Sequence, residues 1–242
     1  MTEPPRPGKL RPRRTPVALW EEPASEPRLD RAEIVRAALE LIEGEGLDGF
    51  SMRGLATELN IKSPSLYWHV RSKDELFELL IDAVLGECRL PTQEEGEWTD
   101  RLADVARELR RVLLAHPEAT RLLTGRVPLG PNWLRLAEHV IGTLRWAGFD
   151  NRLASHCYLV LIYFAIGFAS QEIAFGRGGD GPARLAEMHE YVRSLPADRF
   201  PNLVAVTEGF TERGLTDRFE LGLRGIISGF AAELAKAPAG ND

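Results

Sequence analysis

Ser63-Pro64-Ser65-Leu66-Tyr67-Trp68-His69-Val70-Arg71-Ser72-Lys73 decides how this chain folds. Serine followed by proline reads as a helix start, because the hydroxyl can accept from a free backbone N–H and proline has none to leave unsatisfied. Leu66 and Val70, four residues apart, mark the inward edge of that short helix. The positions left over hold hydroxyl, aromatic and imidazole groups. That surface suits a helix entering a DNA groove better than one entering a protein core.

Working outward, the flanking sequence is helical with tight punctuation. Ile34, Ala37, Ala38, Leu41 and Ile42 recur at spacings of three and four, giving one apolar face. Asp30 and Glu33 fit a capping box before it, and Gly44 with Gly46 marks the stop. Ser51 caps a second helix that turns Leu55, Ala56 and Leu59 inward, and Asn60 ends it in a tight turn. Ser72 and Glu75 then open a fourth helix with Leu76, Leu79, Leu80, Ala83 and Val84 on one side. Helix, helix, four-residue turn, helix is the helix-turn-helix plan.

A composition break near Pro91 to Gly96 is followed by amphipathic stretches at Trp98–Ala115, Glu118–Leu123, Pro131–Ala147, Asn151–Phe175, Pro182–Ser194 and Thr216–Lys236. A Gly176–Gly181 loop reads as flexible. No strand alternation is visible, so the expected class is all-α. A helix-turn-helix domain precedes a larger helical domain. The expected division is an arm over 1–28, the helix-turn-helix over 29–74, a connecting helix over 75–90 and the body over 91–242.

Charge narrows the function. Over 242 residues the net charge is −6, which argues against a protein that coats nucleic acid by bulk charge. Two basic surfaces stand out against that background. The Pro-rich arm holds Arg6, Lys9, Arg11, Arg13 and Arg14 against Glu3, and Arg53, Lys62, Arg71 and Lys73 face Glu58 alone. Arg11, Arg13 and Arg14 are candidates for a minor-groove arm. The arm also carries an apolar knot, Val17, Leu19 and Trp20. Cys88 and Cys157 lie far apart in apolar helical contexts and read as two buried thiols of a reducing cytoplasm. The N-terminus has no signal-peptide pattern, and the thirteen-residue apolar run Cys157 to Ala169 falls short of the roughly 18 residues of a membrane span.

Ile34 to Leu85, and above all Leu55-Ala56 and Ser65 to Leu76, resembles the tetracycline-repressor family of bacterial transcriptional regulators. The likeness extends more weakly through Trp98, Gly125-Arg126-Val127-Pro128, Gly148-Phe149 and Phe219 to Leu223. It implies a dimer on a double-stranded operator and a small-molecule inducer. A two-turn recognition helix reaches base edges only with its N-terminal residues, here Lys62, Ser63, Pro64 and Ser65. Lys can donate to guanine, Ser can donate or accept, and Pro can press on a thymine methyl. Tyr67, Trp68, His69 and Lys73 suit phosphates, and Arg53 matches a family position that reaches a base. A metal role for His69 is set aside, since no second ligand lies at helical spacing.

Dimerisation is expected through Asn151–Phe175, apolar almost all round, and the helix from Thr216. The latter carries Phe219, Leu223, Ile226, Ile227, Phe230 and Leu234 to bury area, and Gly222, Gly225 and Gly229 to admit a partner helix. Leu109, Leu123, Arg126, Trp133, His139, Tyr158 and Ile162 are the pocket candidates, an apolar and aromatic set with a few polar groups. Where the tetracycline-binding members carry a metal-coordinating His, this chain has Leu123, and their polar Asn falls near Val105. A bulky inducer without a metal is expected, and no cofactor. Enzyme motifs are missing: no HExxH, GxSxG, P-loop or GxGxxG after a strand. His156 and Glu172, an imaginable acid–base pair, would sit about 24 Å apart on one helix.

Overall fold

A computed structural model describes residues 30–92, 96–123, 126–176, 181–211 and 214–236. Within them the chain is built from helices, with no strand. The reading unit comprises α1 (Arg31–Glu45), α2 (Met52–Glu58) and α3 (Ser63–His69), and α4 (Lys73–Gly86) connects it to the body. The body holds α5 (Trp98–Ala115), α6 (Pro117–Leu123), α7 (Pro131–Trp146) and α8 (Asn151–Gly176). It continues through α9 (Gly181–Arg193), α10 (Pro201–Ala205), α11 (Thr207–Thr211) and α12 (Leu215–Lys236).

Local chemistry explains the first four helices. Asp30 caps α1 by accepting from the Ala32 N–H at 3.3 Å. Gly46 closes it with φ +80°, in the left-handed region that a side chain would strain. Ser51 Oγ accepts from Gly54 N–H at 3.0 Å and starts α2, and Asn60 (φ +50°) makes the turn after it. Ser72 Oγ accepts from Glu75 N–H, and the Glu75 carboxylate returns to Arg71 N–H, one residue earlier than in the usual box. The start of α3 also lies one residue from its expected place. The Lys62 carbonyl accepts from Ser65 N–H at 2.8 Å, so Lys62 is the cap and Pro64 stands at the second helical position. The Ser63 hydroxyl is therefore not used for capping.

The core is continuous from the reading unit into the body. Ile34, Ala38, Ile42, Leu55, Leu66 and Val70 are completely buried against Leu76 and Leu80 of α4. Polar contacts also tie this unit and α4 to the body. Glu118 at the start of α6 accepts from Leu47 N–H at 3.2 Å, Arg121 reaches Asp48, and Arg126 reaches Asp74 at 2.7 Å. Helices α5 and α8 form the spine of the body. Arg110 makes a bidentate pair with Glu172 (2.8 and 2.9 Å), and Arg107 makes another with Glu220 of α12.

Sequence pattern and structure part company in several places. Helices α10 and α11 have no counterpart in the sequence pattern, because five residues are too few to show a period. With α9 they form a small cluster that packs mainly on itself and leaves Tyr191 and Val206 exposed. Gly176 ends α8 and Gly181 begins α9, so both ends of the expected loop are helical; residues 177–180 lie outside the described residues. The thirteen-residue apolar run sits inside a 26-residue helix that by length and composition alone could cross a membrane. Here α8 packs against α5, α6, α7 and α12 instead. Cys88 and Cys157 are buried free thiols, pushed up by burial to about 12 and about 11.

Candidate DNA interface and regulatory body

Helix α3 shows how a seven-residue element can be rigid and still present most of its surface. Leu66 is its one fully buried side chain and anchors it to the core, with Val70 just past its end. Lys62, Pro64, Ser65, Tyr67 and Trp68 are exposed, and Ser63 and His69 are half-buried. Trp68 is 87% exposed and Tyr67 46%. A tryptophan left in water forgoes a large burial energy, so its place on an otherwise well-packed domain marks a surface that something covers. Arg53, exposed on α2, lies on the neighbouring helix, and the Thr57 hydroxyl donates to its carbonyl at 3.0 Å.

Lys73 has a role within the chain that sequence spacing could not show. Its Nζ donates to the Phe50 carbonyl at 2.8 Å and stands 5.2 and 5.3 Å from the ring centroids of Phe50 and Phe77. The ammonium thus pins the α1–α2 loop to α4, and two of its three N–H donors remain for another acceptor. The arm residues Arg11, Arg13 and Arg14, and Trp20, lie outside the described residues.

Most of the residues expected to line a pocket lie on helices of the body. Leu109 (α5), Leu123 (α6), Trp133 and His139 (α7), and Tyr158 and Ile162 (α8) come from four helices that pack on one another. All but the half-buried His139 are buried. Trp133 meets Tyr158 edge-to-face at 6.5 Å, and burial pushes the Tyr158 hydroxyl up to about 12. Burial, with the charges of Arg101 and Arg135, lowers His139, and its Nε2 is buried without a hydrogen-bond partner. In its neutral form such an imidazole can offer a donor or an acceptor to a ligand. Arg126 stands apart from the set: its guanidinium is committed to Asp74 and the Phe77 face, at the junction with the reading unit. Leu123 and Val105 are both buried and apolar.

The junction also holds a residue that no sequence motif marks. Asp82, buried in the apolar run of α4, accepts from the N–H groups of Asn132 (2.9 Å) and Trp133 (3.1 Å) and from Asn132 Nδ2 (2.9 Å). It supplies from another helix the cap that Gly130, having no side chain, cannot give α7. A Cβ on Gly130 would lie 2.2 Å from Asp82 Oδ1, so glycine is needed for this close approach. Burial raises the Asp82 carboxyl above 3.8, and its hydrogen bonds pull the other way without cancelling the rise. An acid inside an apolar helix face was the available signal.

The two long body helices divide their surfaces. Phe219, Leu223, Ile227 and Phe230 of α12 are buried within the chain, so they are core side chains and not the interface they were expected to supply. Gly222 faces inward too, where a Cβ would meet Phe164 at 2.8 Å. Gly225 and Gly229 have nothing within 4 Å of that position. Beside them Leu221 is exposed, as are Leu159, Val160 and Tyr163 on α8.

Comparison with known proteins agrees with this geometry. Residues 34–80 match bacterial regulatory proteins of the tetR family, and residues 90–234 match the tetracyclin repressor-like C-terminal domain. The chain belongs to the TetR family. An HTH-type transcriptional regulator of Saccharopolyspora erythraea is 35% identical to this TetR-family chain, over 90% of it and 92% of the relative. The class A tetracycline repressor of transposon 1721 from Escherichia coli is 32% identical over 84% of this chain and 91% of its own. The Streptomyces coelicolor TetR-family protein ActR, in complex with actinorhodin, superposes with a TM-score of 0.80 at 38% identity. That match covers 87% of this chain and all of ActR. This TetR-family member is accordingly a transcriptional regulator with a helix-turn-helix for DNA.

Proposed function

We propose that two copies pair through the exposed faces of α8 and α12 and repress transcription from a near-palindromic operator until a small inducer releases them. A two-fold pair holds two α3 helices about one DNA turn (~34 Å) apart. The observation that carries this reading is α3 itself: one buried anchor, and beside it Trp68 standing 87% in solvent. Lys62 and Arg53 read guanine, Ser63 and Ser65 read neighbouring base edges, and Pro64 presses on a thymine methyl. Tyr67, Trp68, His69 and Lys73 hold phosphates and set register. Arg11, Arg13 and Arg14 reach an adjacent minor groove.

The inducer is hydrophobic or aromatic and rests against Leu109, Leu123, Trp133, Tyr158 and Ile162, with His139 as its polar partner. Leu123 offers no lone pair to a metal, so a drug–magnesium complex of the tetracycline kind is not the ligand we infer. ActR binds actinorhodin and (S)-DNPA according to its complexes, which supports a small-molecule ligand for this chain. Release requires that the ligand bind the wrongly spaced state of the dimer more tightly than the DNA-binding state. Such a protein works in the cytoplasm as a regulator rather than an enzyme, and the controlled gene is an exporter or a biosynthetic pathway.

Footprinting the duplex upstream of its own gene tests the reading, with a thermal-shift screen of hydrophobic antibiotics and lipophilic metabolites supplying the inducer. The expected result is one protected site, lost on adding a compound that raises the melting temperature. Equal affinity for random duplex, or a protein that stays monomeric, would overturn it.

A further inference from the structure

His116 closes α5 where α6 begins, and carboxylates from two other helices grip it. Its Nδ1 lies 2.6 Å from Glu43 Oε1 on α1, and its Nε2 lies 2.9 Å from Glu87 Oε1 at the end of α4. Only 14% of the His116 side chain is exposed. A neutral imidazole has one N–H, so its other nitrogen would turn a lone pair toward a carboxylate oxygen at hydrogen-bond distance. The imidazolium donates from both nitrogens, and both bonds are then charge-assisted. The two carboxylates sit on the reading unit and on the connecting helix, and the imidazole belongs to the body.

We propose that His116 is a proton-dependent positioning residue: the imidazolium clasps the reading unit and α4 to the body, and loss of its proton releases one arm of the clasp. The idea rests on the operator-binding reading above. With the clasp closed, the reading unit holds one orientation. With one arm open, DNA must select that orientation from a wider set, which weakens binding.

The charged groups around the clasp come from every neighbouring element. Beyond Glu43, α1 leads into the loop holding Asp48, which pairs with Arg121 of α6 beside Glu118. From α5, Arg111 pairs with Glu108 and reaches the Glu87 carbonyl, and Arg110 is held by Glu172 of α8. From α7, Arg135 donates to the Cys88 carbonyl, and the Cys88 thiol is pushed up by burial to about 12. Among these groups His116 carries the side chain whose ordinary value falls nearest neutrality. Burial pulls that value down, and the hydrogen bonds to Glu43 and Glu87 together outweigh it, leaving it above 6.5. The clasp is therefore complete below the unfolded value and is lost as pH rises through the raised folded one.

The test uses the full chain with the duplex upstream of its own gene, and has two independent arms. Operator affinity of the wild type should fall about fivefold or more between about pH 6 and about pH 9, the low end of coupling between sites. His116→Gln, which keeps one donor, should bind with a flat profile, and Glu87→Gln should move the wild-type fall to lower pH. In parallel, the His116 ring titration by NMR without DNA should lie above 6.5. The melting difference between wild type and His116→Gln should shrink as pH rises. A wild-type slope retained in His116→Gln, or a ring that titrates at or below the ordinary value, overturns the clasp. If no DNA is bound at all, the operator reading fails by itself, and the ring titration and melting difference still decide the clasp.

Discussion

Replacing Asp82 with alanine tests whether α4 and α7 are bolted together by one buried carboxylate. The substitution removes the acceptor for three N–H groups, two of them on the backbone at the start of α7. Loss of a helix cap costs about 0.5–2 kcal/mol, and a buried donor left without a partner costs about 1–3 kcal/mol. Against this, the variant no longer buries a carboxyl that burial already disfavours when ionised. The net expectation is a loss of about 2 kcal/mol. For a chain of this length that lowers the melting temperature by roughly 4–8 °C. Circular-dichroism melts at fixed protein concentration would measure it, because a dimer's midpoint depends on concentration. Asp82→Asn should lose less, since its carbonyl oxygen still faces the backbone donors. Between pH 3.8 and the raised folded value the native state holds the extra proton, so this group's contribution falls as pH rises. Asp82→Ala should remove that slope. Gly130→Ala should be costly in the wild type and only partly relieved beside Asp82→Ala, because Oδ1 and Cγ of Asp82 leave while its Cβ, 2.7 Å from the added one, stays. A melt of Asp82→Ala within about 1 °C of wild type would refute the reasoning.

Trp68→Ala should leave stability within about 0.5 kcal/mol, as expected for an exposed position, while operator affinity in a filter-binding assay drops. Lys73→Ala should lower both quantities: about 1 kcal/mol of stability for its bond to the Phe50 carbonyl, and a salt slope of binding reduced by about 1 for a lost phosphate contact. An unchanged slope would assign Lys73 to scaffolding alone. Gly225→Leu with Gly229→Leu should yield folded monomers in sedimentation, whereas Gly222→Ala should keep the dimer and lower the melting temperature through Phe164. Ser65→Ala should relax preference at one or two operator positions, and a uniform loss across sequences would count against base reading there.

The reading unit was legible in the sequence because its determinants are local. A cap, an inward pair and a turn residue each act within about four positions, so Ser51, Asn60, Leu66, Val70 and Ser72 could be placed before any coordinates. The α3 cap fell one residue away, since which carbonyl accepts the first helical bond depends on backbone angles that Ser-Pro leaves open. Burial in the body was partly legible too: amphipathic positions put Leu109, Trp133 and Tyr158 inward, whereas Arg126 turned toward Asp74, a partner 52 residues away.

What the amino-acid order determined alone was the longer helices, their apolar faces and the character of α3, because periodicity and capping are properties of neighbours along the chain. What only the tertiary structure decided was which of those faces are used up inside one chain. It sent Phe219, Leu223 and Gly222 into the core and left Gly225, Gly229 and Tyr163 open. It also joined Asp82 to Trp133 and His116 to Glu43 and Glu87. Those meetings span up to 73 residues, and no local spacing encodes them, since they arise only when packing brings separate helices within hydrogen-bond reach.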